Sequence, residues 1–214
     1  MASAPSSAPR CWPRSPDSRN LVLAVLLVLT GPSGVGKGTV GKALLERDPS
    51  ITWSVSATTR APRAGEVDGV DYRFVTRDEF ERLRDAGGFL EWFEVYGQLK
   101  GTPSAPVEAQ LAAGHDVLLE IDVQGALAVR ERYPEALLVF LRAPDPAVQE
   151  ARLRARGSDD PEQIRTRLET AAHEEALAGQ FDAVVVNADL GRAVDEVAAI
   201  LRIRRSGPSP HGTS

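Results

Sequence analysis

The chain has 214 residues, of which 43% are hydrophobic, and its formal net charge is −5 at pH 7. This length fits one α/β domain with inserted segments, and the acidic balance argues against a general affinity for nucleic acid, which needs a basic surface. The single cysteine excludes an internal disulfide, and with only three histidines a structural zinc site is not expected.

The chain begins with a segment that has no apolar periodicity. Residues 1–19 are rich in Ala, Ser, Pro and Arg, a composition typical of a disordered extension. The apolar run at residues 21–29 resembles the core of a signal peptide, but it is too short for a membrane helix and continues directly into a glycine-rich loop. We interpret it as a buried first strand of a parallel sheet, over residues 22–29, and expect no membrane partner.

A phosphate-binding loop follows this strand and precedes a helix predicted over residues 37–47. In such a P-loop the backbone amides surround phosphate oxygens, and the N-terminus of the helix adds its positive end. Lys37 supplies a mobile charge for the β- and γ-phosphates. The residues of this loop predicted to bind ATP are Gly31, Pro32, Ser33, Gly34, Val35, Gly36, Lys37, Gly38 and Thr39.

One position departs from the usual P-loop. Gly38 follows the lysine, where a Ser or Thr usually offers its hydroxyl to Mg²⁺, and Thr39 comes one residue later. Adenylate kinases also carry Gly-Lys-Gly-Thr, so the departure is compatible with catalysis. We expect Mg²⁺ to accompany ATP and to be held mainly by water and the phosphates.

The stretch of residues 54–114 differs in character from the rest of the chain. It combines turn signals with aromatic strands over residues 72–75 and 89–96 and a helix over residues 78–85, which predicts a small mixed subdomain. Within it, Arg60 and Arg63 lie three residues apart. Their two guanidinium groups fit a bidentate clamp on a phosphate dianion.

Another buried strand, over residues 117–121, leads to two carboxylates, Glu120 and Asp122. Side chains at alternate positions of a strand point to the same face. At the carboxyl end of a parallel sheet that face opens on the ligand crevice. We expect Glu120 to act on Mg²⁺ indirectly, through water.

Strands and helices alternate over the rest of the chain, as expected for a parallel sheet covered by helices. The predicted strands cover residues 136–141 and 183–186, and the predicted helices cover residues 124–133, 146–155, 161–178 and 191–204. Between two of these helices, an arginine-rich segment is interrupted by glycine, serine, aspartates and proline, which predicts a mobile flap.

In this combination of motifs the sequence closely resembles guanylate kinase, over roughly residues 25–204. The resemblance implies that Arg60, Arg63 and Tyr72 hold the phosphate of GMP, and that four residues surround the guanine: Ser56, Glu91, Thr102 and Asp122. A carboxylate such as Glu91 accepts together from the N1–H and N2 amino donors of guanine. Adenine has no such pair of donors and would leave the carboxylate unpaired.

The same resemblance assigns arginines of the flap. Arg152, Arg156 and Arg167 match the family's lid arginines, which close over the triphosphate, expel water and stabilise the transferring phosphoryl group. Arg154 and Arg165 match no lid position, and we expect both on a solvated helix face.

Two further positions are compared with the family. Asn187 matches the family asparagine near the adenine of ATP. The family typically has a tyrosine where this chain has Lys100. Either the lysine replaces that tyrosine as a partner of the GMP phosphate, or it points to solvent, as most lysines do.

The predicted fold class is α/β, with a P-loop core whose parallel sheet is covered by helices on both faces, an inserted mixed α/β GMP-binding subdomain and a mobile lid. The kinase-like domain spans residues 20–205. Its core comprises residues 20–53, 115–151 and 168–205, the GMP-binding subdomain residues 54–114, and the lid residues 152–167. Disordered segments, residues 1–19 and 206–214, flank it.

We expect a cytoplasmic enzyme that phosphorylates GMP and dGMP with ATP and Mg²⁺ in purine nucleotide metabolism. One alternative is a non-catalytic protein-interaction module, although such modules tend to lose the P-loop lysine. Another is a related kinase acting on a ribose bisphosphate or a different nucleoside monophosphate, against which Glu91 and Ser56 argue. No nucleic acid partner is expected, and the oligomeric state is left open.

Overall fold

The computed structural model describes residues 24–63, 65–95, 97–155 and 160–207. The strands within these ranges are β1 (Leu26–Thr30), β2 (Ile51–Trp53), β3 (Ala57–Thr58), β4 (Arg73–Phe74), β5 (Phe89–Val95), β6 (Gln98–Pro103), β7 (Asp116–Glu120), β8 (Leu137–Arg142) and β9 (Ala183–Val186). The helices are α1 (Lys37–Arg47), α2 (Arg77–Asp85), α3 (Ser104–Ala112), α4 (Val123–Arg132), α5 (Pro146–Ala155), α6 (Pro161–Glu175) and α7 (Leu190–Arg205), with a short 3₁₀ helix at Ala178–Gln180.

Five parallel strands form the central sheet, in the order β2-β7-β1-β8-β9. The middle strand β1 is buried along its whole length, so both of its faces are apolar, as the continuous hydrophobic run predicts. Leu27 and Leu29 pack with α1 and α7 on one face. Leu26 and Val28 pack with α3 and α4 on the other. The sheet is therefore covered by helices on both faces.

The inserted subdomain contains a second, mixed sheet in the order β4-β3-β6-β5. The pair β3–β4 is parallel, whereas β6 pairs antiparallel with both β3 and β5. Helix α2 begins with a capping box between Thr76 and Glu79 and contributes Phe80, whose ring stacks on Phe89 at 4.3 Å between centroids. Together with the central sheet, this mixed sheet confirms the predicted fold class, while the domain and lid boundaries stay predictions.

The predicted elements agree closely with the structure where a strong local pattern marks them. Helices α1 and α5 and strand β9 have the predicted bounds. Strand β1 lies later than predicted, at Leu26–Thr30, and the predicted helix over residues 161–178 ends at Glu175 before the 3₁₀ turn. Sequence analysis identified neither β2, β3 and β6 nor α3. Two of these strands are short, and β6 contains Gly and Pro, which are typical of turns.

A polar contact holds the C-terminus of helix α7 at the base of the central sheet. The buried Asp116 accepts from the backbone N–H of Val25 at 2.6 Å and from Nε of Arg205 at 2.5 Å. Arg205 also pairs with Asp48 at 2.8 Å. This end of the sheet lies opposite the carboxyl ends of β1 and β7, where the predicted ligand residues follow. Within the described ranges, no helix is both long and apolar enough to cross a membrane.

Candidate nucleotide-binding site

The P-loop lies between the buried strand β1 and helix α1, and two of its glycines have no room for a side chain. Gly31 has φ of 134°, and a Cβ there would lie 2.1 Å from the carbonyl oxygen of Leu141. Gly36 has φ of 92°, and a Cβ would lie 2.6 Å from the side-chain amide of Asn187. Both the left-handed backbone and the close neighbours therefore require glycine.

Lys37, the first residue of α1, folds back onto the loop. Its Nζ donates to the carbonyl oxygens of Gly31 at 2.6 Å and Pro32 at 3.0 Å. Burial lowers the pKa of Lys37, an effect that the nearby carboxylates of Glu120 and Glu174 oppose. The ammonium group therefore stays at the phosphate loop instead of extending into solvent.

Helices α5 and α6 bring two of the predicted lid arginines to the same loop. Arg152 donates to the carbonyl oxygen of Asn187 at 2.9 Å and, over a longer 3.4 Å, to that of Val35. Arg167 donates to Oγ of Ser33 at 3.0 Å. The third predicted lid arginine, Arg156, lies outside the described residues.

The two arginines for which no lid role was predicted lie on the exposed surface. Arg154 pairs with Glu150 at 2.6 Å and Arg165 with Glu162 at 3.6 Å, each one turn away on its own helix. All four side chains are at least 40% exposed, so these pairs contribute little to stability. The expected solvated face is confirmed.

Asn187 is buried at the end of β9 and is bound to the P-loop. Its Nδ2 donates to the carbonyl oxygen of Val35 at 2.8 Å, and its backbone N–H donates to the carbonyl oxygen of Arg142 at 2.8 Å. The side-chain amide therefore supports the loop directly. The predicted contact with adenine stays a prediction.

Glu120 and Asp122 differ in what their carboxylates do. The oxygens of Glu120 lie 3.3 and 3.5 Å from where a Cβ of Gly38 would be, so a larger residue at position 38 would crowd this carboxylate. Asp122 caps helix α4, because its Oδ1 accepts from the backbone N–H of Gly125 at 2.8 Å. Within the described ranges no three acidic, His or Cys side chains are grouped closely enough to hold a metal by themselves.

A cluster of buried polar side chains lies on β5, on β6 and just before β3. Glu91 is opposite Thr102 in the antiparallel register and accepts from its hydroxyl at 2.6 Å. The hydroxyl of Ser56 lies 3.5 Å from that of Thr102. Burial raises the pKa of Glu91 to about 7, with a further rise from Asp122, although the Thr102 hydrogen bond lowers it. Three of the four predicted guanine residues therefore form one cluster, and Asp122 acts on it electrostatically.

The predicted phosphate residues gather around the ring of Tyr72. The Arg60 guanidinium lies 4.9 Å from the ring centroid and Nζ of Lys100 lies 5.1 Å from it. Although burial opposes its charge, Tyr72, Asp122 and Glu91 together raise the pKa of Lys100. Lys100 is half-buried against Tyr72 instead of extending into solvent, while its predicted contact with the GMP phosphate stays a prediction. Arg63, by contrast, is exposed.

Sequence analysis missed the partner of this clamp, Glu66. Its carboxylate binds Arg60 with two bonds of 2.5 and 2.6 Å and accepts from the backbone N–H of Arg63 at 2.7 Å. The Arg60 hydrogen bond lowers the pKa of Glu66 to about 2, so the group is ionised at neutral pH. No local pattern distinguishes Glu66 from a surface glutamate.

Charge couples the P-loop to the inserted subdomain. Lys37 is attracted by Glu120, Glu174 and Asp122 of the core and repelled by Lys100 of the subdomain. Burial raises the pKa of Glu174, and the positive charge of Lys37 opposes only part of this rise. The predicted donor site at Lys37 and the predicted acceptor site at Lys100 therefore act on each other electrostatically. Glu174 is a further residue that sequence analysis missed.

Comparison with known proteins finds relatives that cover most of the chain. The guanylate kinase family model matches residues 24–204. A guanylate kinase of Nocardia farcinica is 54% identical over 177 residues, which is 82% of this chain and 92% of that protein. One of Thermus thermophilus is 55% identical over 184 residues, 85% of this chain and 83% of that protein. The crystal structure of guanylate kinase from Anaplasma phagocytophilum has a TM-score of 0.71 at 36% identity, covering 86% of this chain and 87% of that one.

Proposed function

The chain belongs to the guanylate kinase family, and we infer that it transfers the γ-phosphoryl group of ATP to GMP, giving ADP and GDP. The observation that carries this inference is the buried Glu91–Thr102 pair, in a chain that also holds the lysine Lys37 on its P-loop. A phosphate loop alone fits many kinases. The buried carboxylate selects a base with two adjacent donors, which guanine has and adenine lacks.

On the donor side, we assign the triphosphate to the P-loop amides and Lys37. These groups provide fixed positive partial charge and one mobile charge to the β- and γ-phosphates. Arg152 and Arg167 already contact the loop, which supports a role for both next to the transferring phosphoryl group. We extend that role to Arg156 from its position in the lid motif, and assign Asn187 to the adenine side.

On the acceptor side, we assign the GMP phosphate to Arg60, Arg63, Tyr72 and Lys100. Glu66 and the carbonyl of Ala61 engage Nη1 of Arg60, and Glu66 also engages Nη2. The Nε hydrogen and the second Nη2 hydrogen form a fork that matches two phosphate oxygens, and Tyr72 also interacts with this guanidinium. The base is assigned to Ser56, Glu91, Thr102 and Asp122.

The reaction needs little covalent chemistry from the protein. An oxygen of the GMP phosphate attacks the γ-phosphorus of ATP, and the bond to the β–γ bridging oxygen breaks as ADP leaves. Positioning and neutralisation of charge dominate such transfers. Lys37 on one side of the cleft and Lys100 on the other place positive charge at both ends of the moving group.

The residues present fit a magnesium ion bound together with ATP. Mg²⁺ keeps several waters and takes one or two carboxylates plus substrate phosphates, and Glu120 is the carboxylate beside the start of α1. Gly38 leaves space for that carboxylate and offers no hydroxyl of its own. When bound, the ion would neutralise charge on the β- and γ-oxygens. We propose purine nucleotide metabolism in the cytoplasm as the setting of this reaction.

The test is an ADP-release assay with ATP and Mg²⁺, comparing GMP, dGMP, AMP and a ribose bisphosphate as acceptors. We expect turnover with GMP, and with dGMP because no residue assigned here contacts the ribose, at rates far above those with AMP. Turnover only with the ribose bisphosphate would overturn the guanine assignment. No turnover with any acceptor would instead support a non-catalytic module.

A further inference from the structure

The carbonyl groups of the P-loop are held by side chains from outside the loop as well as by Lys37. A loop that turns its amides toward phosphate turns carbonyls away from it, and carbonyls shielded from water need partners. Lys37 binds the first two, those of Gly31 and Pro32. Nε2 of Gln149 binds the carbonyl of Ser33 at 2.7 Å.

The carbonyl of Val35 is held in the same way. It accepts from Nδ2 of Asn187 at 2.8 Å, while the carbonyl of Gly36 accepts from the backbone of α1 at Val40. Gln149 therefore makes the contact to the middle of the loop. Gly34, which lies between Ser33 and Val35, packs directly on α5.

Gln149 lies on the face of α5 that packs against the loop. It is only 6% exposed, and Leu153, one turn later on the same face, is 1% exposed. A Cβ at Gly34 would lie 2.9 Å from the side chain of Leu153 and 3.2 Å from the carbonyl of Gln149. A glutamine is seldom fully buried without a bonded partner, and the bonded partner here is the phosphate loop itself.

We propose that Gln149 is a positioning residue of the donor site. Gln149 holds the Ser33 carbonyl away from the phosphate side of the loop. The N–H of the same peptide group, that of Gly34, then points toward the phosphates. The contact also ties helix α5 to the loop. Arg152, one turn along α5, also binds the loop, so a movement of α5 and a change in the loop are mechanically linked. The inference rests on the proposed function only in that the loop binds ATP.

The test replaces Gln149→Met, which keeps the length of the side chain but removes both N–H donors. A second variant, Gln149→Glu, keeps the shape and presents a carboxylate to the Ser33 carbonyl. Gln180→Met, at an exposed position of the 3₁₀ helix, is the matched control. Calorimetric titration gives the Kd of ATP without turnover, steady-state assays give KM for ATP and for GMP, and thermal melting reports stability.

We expect Gln149→Met to weaken ATP binding about tenfold, because the free loop would turn the Ser33 carbonyl toward water and ATP binding would have to reverse this at about the cost of one hydrogen bond. Gln149→Glu should weaken it at least as much. KM for GMP should change less than about twofold, and the control should match the unmodified chain. An unchanged Kd for ATP in both Gln149 variants would overturn the proposal. So would an equal loss for ATP and GMP together with a lower melting temperature, since that is the pattern of a general packing defect.

Failure of this proposal can be distinguished from failure of the proposed function. A chain that binds ATP but does not phosphorylate GMP would contradict the proposed function, while the ATP titrations of the Gln149 variants would still decide the role of Gln149. A chain that phosphorylates GMP equally well with and without the Gln149 amide would contradict only the present inference.

Discussion

Replacing Glu91→Gln should stabilise the ligand-free protein while it weakens GMP binding. Burial raises the pKa of Glu91 from its ordinary 4.5 to about 7. Since each tenfold change in the proton equilibrium is worth about 1.4 kcal/mol, keeping this carboxylate ionised above pH 7 costs the fold about 3 kcal/mol. A neutral amide avoids that cost and still accepts from the Thr102 hydroxyl.

The effect has a defined pH window. Between about pH 4.5 and pH 7 the folded state holds a proton on Glu91 that the unfolded chain has lost, so the stability contributed by this group falls as the pH rises. The difference in unfolding free energy between Glu91→Gln and the unmodified chain should therefore be about 1 kcal/mol at pH 5 and about 3 kcal/mol at pH 8.

Urea unfolding of both proteins at pH 5, 6, 7 and 8, without nucleotide, measures this difference, because other titrating groups cancel between them. Glu94→Gln, on the same strand but 48% exposed, is the matched control for the exchange of a carboxylate for an amide. At pH 8 the KM for GMP of Glu91→Gln should rise at least about tenfold, since two donors of guanine lose a charged acceptor. A pH-independent difference, or a Gln variant less stable at pH 8, would refute the reasoning.

Three further predictions concern the donor site, the phosphate clamp and the base of the sheet. Lys37→Met should lower kcat by about 10²–10³ in steady-state assays while the protein stays folded in thermal melting; a kcat within tenfold of the unmodified enzyme would contradict its assignment. Glu66→Ala should release the Arg60 guanidinium and raise the KM for GMP about tenfold at constant KM for ATP, whereas a lower KM for GMP would show that Glu66 competes with the phosphate. Asp116→Asn breaks the pair with Arg205 and should reduce the unfolding free energy in urea by about 2–4 kcal/mol while kcat stays the same; an equal loss of kcat would show that the base of the sheet acts on the site.

The contact between Glu91 and Thr102 could not be predicted from the sequence. Glu91 and Thr102 were assigned through the family resemblance, but their contact depends on the antiparallel register of β5 and β6. Strand β6 is not predicted from the sequence, because Gly101 and Pro103 are residues typical of turns and interrupt its alternation of polar and apolar residues. The raised pKa of Glu91 follows from its burial in the folded protein, a property that its own neighbours in the sequence do not encode.

The α/β class, the buried strand β1, the P-loop and helix α1 are predictable from local sequence, because each depends on residues adjacent in the chain: an unbroken apolar run, glycines at turning positions and a lysine at the helix start. Folding alone brings Gln149 and Asn187 to the loop's carbonyls, Glu66 to Arg60, and Lys100 to the ring of Tyr72. These contacts join residues as far apart as 152 positions. They follow from how strands and helices pack, which local periodicity does not specify.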